Sequence, residues 1–131
     1  MLTFNKSEHL TLGAEIELQI IDPSTYDLKP SSPKILDRLK NNPKVKAEIF
    51  QSMIEINSKV CNNAHEIRED FEATLSEMIP ICNELGVRLS GGGSHPFALY
   101  TDRVIFPSAR FAELIDRNRW IAKRLMIFGL H

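Results

Sequence analysis

Acidic residues on the polar sides of two predicted strands are the clearest candidates for chemistry in this sequence. Glu15 and Glu17 lie in the segment TLGAEIELQIID at residues 11–22, where apolar and polar residues alternate. This spacing places both carboxylates on one face of a strand, roughly 6 to 7 Å apart. Glu55, on the polar side of a second alternating segment, could add a third oxygen donor, and Glu48 a fourth. Grouped carboxylates repel unless a cation offsets their charge, and oxygen ligands favour Mg²⁺ or Mn²⁺ over zinc. A solvated acidic face explains the same pattern, so both interpretations stay open here.

A glycine-rich segment is the second candidate. Gly91, Gly92 and Gly93 follow a predicted short strand, and such a run lets the backbone approach a ligand or another chain segment closely. The segment has neither GxGxxG spacing nor a following GK[ST], so it is not a phosphate-binding loop of a known kind. His95 precedes Pro96, which favours an extended backbone at the histidine and directs its ring without identifying a role. A tight, close-packed turn is the alternative interpretation.

Basic residues on the last predicted helix form a rim that could receive a carboxylate or a phosphate. They are Arg110, Arg117, Arg119, Lys123 and Arg124. Acidic residues are interleaved among them, so a solvated face with local ion pairs, each contributing about 0.2–0.5 kcal/mol, is the competing interpretation.

Composition restricts the class of protein. The chain has 131 residues with 16 Lys+Arg against 17 Asp+Glu, a formal net charge of -1, and 43% hydrophobic residues, values typical of one globular domain. The balanced charge produces no large positive electrostatic field that would attract nucleic acid or an acidic membrane. Small molecules or proteins are therefore the expected partners. The longest apolar run, at residues 125–130, is far below the ~20 residues that span a bilayer, and we expect a cytoplasmic protein. Cys61 and Cys82 lack metal-site spacing and are expected to be free thiols.

Periodicity predicts a mixed set of helices and strands. The expected elements are a strand at 12–22 with an extended return from residue 28, a short helix at 32–39, extended segments at 45–51 and 53–60, a helix at 63–85, a short strand at 87–90, a helix at 108–123 and the start of a strand at 125–131. Gly86 is placed to end the long helix. Pro80 inside it predicts either a kink or a division into two helices.

Four segments, in order along the chain, resemble the glutamate-cysteine ligase type 2 family, also described as carboxylate-amine ligases. They are LGAEIELQ at 12–19, QSMIE at 51–55, GGGSHPF at 91–97 and IFGLH at 127–131. The resemblance implies an α+β fold similar to that of glutamine synthetase, with an antiparallel sheet flanked by helices. In that fold the polar face of the sheet carries divalent cations and nucleotide.

The resemblance also implies a reaction and its residues. ATP would phosphorylate the γ-carboxylate of glutamate, and an amine such as that of cysteine would displace the phosphate. Because charge accumulates on the transferred phosphoryl group, such a site needs carboxylates that hold Mg²⁺ or Mn²⁺. The matching positions are Glu15, Glu17 and Glu55 as metal ligands, with Glu48 as a weaker candidate and His131 as a catalytic residue at the metal and substrate site.

One departure from the family pattern shapes the remaining expectations. The family's Phe-Gly-x-His segment continues as His-Val-His-Val-Gly, whereas this sequence ends at His131. We therefore expect residues 1–131 to be the N-terminal part of a longer catalytic domain, inactive alone, with an open sheet edge that favours a homo-oligomer. The alternative is a non-catalytic, truncated module that self-associates or binds metal or glutamate without turnover. A carboxylate-based metal hydrolase is a third hypothesis, but no general-base arrangement supports it.

Overall fold

Four short antiparallel strands form the sheet that positions the candidate carboxylates. The computed structural model describes residues 8–40, 42–124 and 127–131. Within them the elements are β1 (Glu15–Ile21), α1 (Ser32–Arg38), β2 (Val45–Ala47), β3 (Met53–Asn57), α2 (Ala64–Glu84), β4 (Arg88–Ser90), a 3₁₀ turn at Tyr100–Asp102 and α3 (Ala109–Arg124). The sheet order is β2-β3-β1-β4. The predicted antiparallel α+β fold is confirmed, and its likeness to glutamine synthetase stays a prediction.

β1 is a central strand, and its alternating pattern separates two faces. Ile16 pairs with Ile56 of β3, and Glu17 pairs with Glu55. Because successive side chains point to opposite faces, the isoleucines lie on one face of the sheet and the glutamates on the other. The apolar face packs under α1 and α2 in a core that includes Leu18, Ile20, Ile35, Leu39, Val45, Ile54, Ile56, Met78, Cys82 and Val87.

The last described residues run beside β1. The amide of Glu15 donates to the carbonyl of His131 over 2.9 Å, the amide of His131 donates back over 2.8 Å, and the amide of Glu17 donates to the carbonyl of Gly129 over 2.9 Å. This antiparallel pairing uses the same edge of β1 that pairs with β4 nearer the end of the strand. Where the sequence predicts the start of a strand at 125–131, the described residues form an isolated bridge between Leu130 and Ile16, and residues 125 and 126 lie outside the described residues.

The long helix α2 forms as predicted but is not divided at Pro80. It begins after Asn63, whose side chain accepts a hydrogen bond from the amide of Glu66, and Gly86 follows its end with a φ of 64°. Met78 and Cys82 are buried on either side of the proline. Packing of this apolar face on the sheet therefore holds one helix together across the missing backbone donor, and the two-helix alternative is wrong.

A second core covers part of the sheet's polar face. It consists of Ile49, Phe50, Met53, Phe111, Ile115, Ala122 and Phe128. Met53 lies on the same face of β3 as Glu55, so the contact with Phe111 and Ile115 places the first half of α3 beside the glutamates.

Some predicted elements are longer or more regular than those observed. The extended segment predicted at 45–51 shortens to β2, and its Phe50 bridges Ile105 instead. The segment predicted at 53–60 shortens to β3. The helix predicted at 108–123 is interrupted at Arg119, whose φ is 49°. None of the helices in the described residues combines the length and apolar character needed to cross a membrane.

Candidate metal centre

Three glutamates converge on the polar face of the sheet. Glu17, Glu48 and Glu55 each offer one carboxylate oxygen, and these oxygens all lie within 4.8 Å of one another. Glu17 and Glu55 face each other directly across the β1–β3 pairing, and Glu48 follows the last residue of β2. All three side chains are partly buried. Carboxylate oxygens at this separation match the donor set of a hard divalent cation.

The charges of these glutamates are only partly offset by the protein. Burial raises the pKa of Glu48 to about 7, and the hydrogen bond to Glu55 and the negative charges of Glu55 and Glu17 act in the same direction. Burial also disfavours the ionised form of Glu55, yet hydrogen bonds from Asn57 and Glu48 lower its pKa overall. The ammonium of Lys46, 3.6 Å from Glu55, contributes to this lowering. The pKa of Glu48 is thus raised and that of Glu55 lowered at the position where a cation would fit.

Backbone amides fix two of the three carboxylates. The amide of Gly129 donates to Oε2 of Glu17 over 2.7 Å, and the amide of Ile49 donates to Oε2 of Glu48 over 3.2 Å. The first of these hydrogen bonds links two distant parts of the chain, since Gly129 and Glu17 are 112 residues apart. The pairing of residues 129–131 with β1 is thus part of what builds the site.

A cavity of about 250 Å³ opens beside the carboxylates. Its lining residues are Glu17, Glu48, Ile49, Met53, Arg110, Phe111, Leu114, Ile127, Gly129 and His131. A Cβ atom built on Gly129 would lie 2.3 Å from Nε2 of His131. The glycine therefore leaves the space that the imidazole occupies. The structure brings His131 to the same cavity as Glu17 and Glu48, and its role as a catalytic residue stays a prediction.

Glu15 lies outside this group of three. It is exposed, and its partner on β3 is Asn57 rather than an acidic residue. The prediction that Glu15 and Glu17 share a strand face agrees with the register, but the neighbour that completes the group is Glu48, the weaker candidate from sequence. The assignment of Glu15 as a metal ligand stays a prediction.

The glycine-rich segment supports the site from the side. The side-chain amide of Gln19 donates to the carbonyls of Gly92 and Ser94 over 3.4 and 3.2 Å, and the amide of Phe128 donates to the carbonyl of Gly93 over 3.0 Å. Gly91 instead borders an apolar groove between α2 and β4. None of these residues lines the carboxylate cavity, so the segment positions the strand end that carries Gly129.

His95 holds this segment in place through both ring nitrogens. Its Nε2 lies 2.9 Å from the carbonyl of Tyr26, and its Nδ1 accepts from the amide of Ala98 over 3.0 Å. Nδ1 is therefore the unprotonated nitrogen and Nε2 the donor. The ring is buried and contacts the edge of Phe97 with centroids 4.6 Å apart. This geometry gives His95 a structural role, and a contact with substrate stays a prediction.

Sequence reasoning missed one contributor to the site and did not single out another. Gly129 donates its amide to Glu17, and its residue type was visible within the IFGLH segment. Arg110 lines the cavity. The sequence predicts it only as one of several basic residues on this helix that could receive a carboxylate or a phosphate. The roles of Gly129 and Arg110 both depend on contacts between distant parts of the chain, which local sequence does not show.

Comparisons with known proteins agree with the resemblance. The sequence model of Glutamate-cysteine ligase family 2 (GCS2) matches residues 11–131. A protein of Bdellovibrio bacteriovorus, provisionally named glutamate–cysteine ligase 2, is 45% identical over 131 residues, which cover 99% of this chain and 35% of that protein. Proteins with the same provisional name from Gloeobacter violaceus and Thermobifida fusca are 37% and 34% identical over 99% of this chain, which covers 36% and 34% of their lengths. The chain spans about a third of the length of these relatives.

Proposed function

We propose a function from the premise that this chain belongs to glutamate-cysteine ligase family 2. In this proposal Glu17, Glu48 and Glu55 hold Mg²⁺ or Mn²⁺ for an ATP-dependent reaction that joins the γ-carboxylate of glutamate to an amine, that of cysteine or a similar compound. The observation that carries the proposal is the group of three carboxylates within 4.8 Å beside a cavity. In the first step, an oxygen of the γ-carboxylate attacks the terminal phosphorus of ATP, and the bond from that phosphorus to the departing ADP breaks. The amine nitrogen then attacks the acyl carbon, phosphate leaves with the bonding electrons, and the nitrogen loses a proton.

The residues of this chain have separable tasks in the proposal. A divalent cation, when bound, would offset the negative charge that builds on the transferred phosphoryl group. Glu17, held by the amide of Gly129, keeps its orientation, and Glu48, whose pKa burial raises to about 7, would lose its proton when a cation binds. Since each ligand interacts with the cation as a carboxylate, cation binding is accompanied by proton release. His131 lines the cavity and supplies a nitrogen for the cation or the substrate.

A titration of the 131-residue chain with Mn²⁺ tests the cation site. We expect saturable Mn²⁺ binding by electron paramagnetic resonance, with displacement by Mg²⁺. Glu55→Gln should lose at least about tenfold in Mn²⁺ affinity, because the loss of an outer-shell partner alone costs about 10- to 100-fold. Glu72→Gln is the matched control, because Glu72 is exposed on α2 and pairs with Arg68. Equal Mn²⁺ affinity for both variants would contradict the assignment.

Binding without turnover is a second candidate function. All three carboxylates of the group belong to this chain, so a cation can bind whether or not the reaction proceeds. Incubation of the chain with Mg²⁺, ATP, glutamate and cysteine tests this second candidate: ADP release would refute binding without turnover, whereas Mn²⁺ binding without ADP release agrees with it. A homo-oligomer is also proposed, because Leu114, Ile127 and Leu130 expose large apolar side chains. Sedimentation of the same sample measures the mass, and a monomer at high concentration would exclude it.

A further inference from the structure

We infer that Arg110 recognises the α-carboxylate of an amino-acid substrate whose side-chain carboxylate faces the three glutamates. The inference rests on the proposed function and adds to it a residue that determines substrate specificity. Its basis is the position of Arg110 at the carboxylate cavity, together with the contacts made by two other arginines of the same helix.

The first half of α3 fixes the position of Arg110. Arg110 is the second residue of the helix, and its neighbour Phe111 is buried with Ile115 in the core that includes Met53. The same cavity is lined by Arg110, Glu17 and Glu48. Because buried neighbours hold this helical turn against the sheet, the arginine is presented to the cavity by rigid structure rather than by a loop.

The contacts of Arg110 differ from those of two other arginines on α3. Arg117 forms an ion pair with Glu113 over 2.8 Å, and the guanidinium of Arg124 lies over the rings of Tyr100 and Trp120 at 5.2 and 5.1 Å. For Arg110, the described residues provide only a contact with the ring of Phe111, at 5.5 Å. A ring contact leaves the N–H groups of a guanidinium available, and these form a planar fork that fits a carboxylate.

The cavity limits the size and chemistry of the ligand. Its volume of about 250 Å³ is below the ~300 to 1,000 Å³ of sites that enclose drug-sized molecules, so it suits an amino acid better than a whole nucleotide. Ile49, Met53 and Leu114 give it apolar walls, which suit an aliphatic stem. An acidic amino acid has such a stem between two carboxylates, one for the cation side of the cavity and one for Arg110.

Binding of two related ligands to the Mn²⁺-loaded chain tests this inference. L-glutamate and 4-aminobutanoate share the same side-chain carboxylate and stem, but only glutamate has an α-carboxylate. By calorimetry, we expect wild type to bind glutamate at least about tenfold more tightly than 4-aminobutanoate, in line with about 1.5 kcal/mol or more for a hydrogen bond to a charged group. Arg110→Gln should lose this preference and retain Mn²⁺ affinity. Arg110→Lys keeps the charge without the fork and should show an intermediate preference.

Controls separate this inference from the proposed function. Arg117→Gln removes an arginine from the same helix that already has a partner, and it should bind both ligands as wild type does. Failure of wild type to bind Mn²⁺ would refute the cation site and the inference that rests on it. Mn²⁺ binding with an unchanged glutamate preference in Arg110→Gln, or without any glutamate binding, would refute the inference alone. Loss of Mg²⁺–ADP affinity in Arg110→Gln, with glutamate binding unchanged, would assign the arginine to phosphate and overturn it.

Discussion

Glu48→Gln should make the metal-free chain more stable at pH 8 while weakening its affinity for a cation. Burial and the neighbouring glutamates raise the pKa of Glu48 from 4.5 to about 7, so the folded state holds a proton that the unfolded state releases between these values. Stability therefore falls as pH rises from about 4.5 to about 7, and the full penalty is present above pH 7. Glutamine has the same shape and no charge to ionise, so it removes this penalty.

The size of the effect follows from the same pKa. A rise from 4.5 to about 7 corresponds to several kcal/mol at about 1.36 kcal/mol per pH unit, and solvent screening of the partly exposed group reduces this to on the order of 1 to 2 kcal/mol. Urea unfolding in the presence of a chelator, at pH 5 and pH 8, measures it. We expect Glu48→Gln to match wild type at pH 5 and to exceed it by this amount at pH 8. An equal loss of stability in both proteins between the two pH values would refute the reasoning.

Further substitutions test other parts of the site and fold. Gly129→Ala places a Cβ atom 2.3 Å from the ring of His131; the ring must move, and we expect a shift of its imidazole NMR signals and a severalfold loss of Mn²⁺ affinity. Glu15→Gln should keep Mn²⁺ affinity within about threefold of wild type by calorimetry, because Glu15 lies outside the group of three; a larger loss would restore it as a ligand. Asp70→Asn should destabilise the chain by about 2 to 4 kcal/mol in urea unfolding, since it leaves the partly buried Lys44 without its carboxylate at 2.6 Å. The hydrogen bond from Lys44 lowers the pKa of Asp70, so its contribution in wild type is present above about pH 4 and is lost as pH falls further; acid unfolding that is unchanged in Asp70→Asn would contradict this.

The elements that periodicity predicts best are those with one continuous buried face. β1 alternates over its whole length, and α2 keeps a helical apolar face on both sides of Pro80, so each pattern is fully contained in local sequence. The break at Arg119 within α3 could not be predicted, because the residue types around it continue the helical pattern. Local patterns indicate which face is buried, but they do not include the packing that interrupts an element.

The membership of the carboxylate group depends on strand pairing. Glu17 and Glu55 are each on a polar strand face by their own pattern, but their direct opposition follows from the β1–β3 register. Glu48 lies directly after β2, which ends at Ala47. The extended segment predicted from sequence instead continues to residue 51. The structural role of His95 depends on Tyr26, which lies 69 residues away. ATP as co-substrate, the amine, the homo-oligomer and the cytoplasmic location stay predictions.

Paramagnetic broadening by Mn²⁺ tests the central claim most directly. The amides of Gly129 and Ile49 donate to carboxylates of the group, so a cation bound there lies within a few ångströms of both. At substoichiometric Mn²⁺, we predict that these two amide signals disappear first and that the amide signal of Glu72, on the exposed side of α2, is retained. Competing Mg²⁺ should restore both lost signals. Preferential broadening on α2, or uniform broadening along the chain, would show that the three glutamates do not form the cation site.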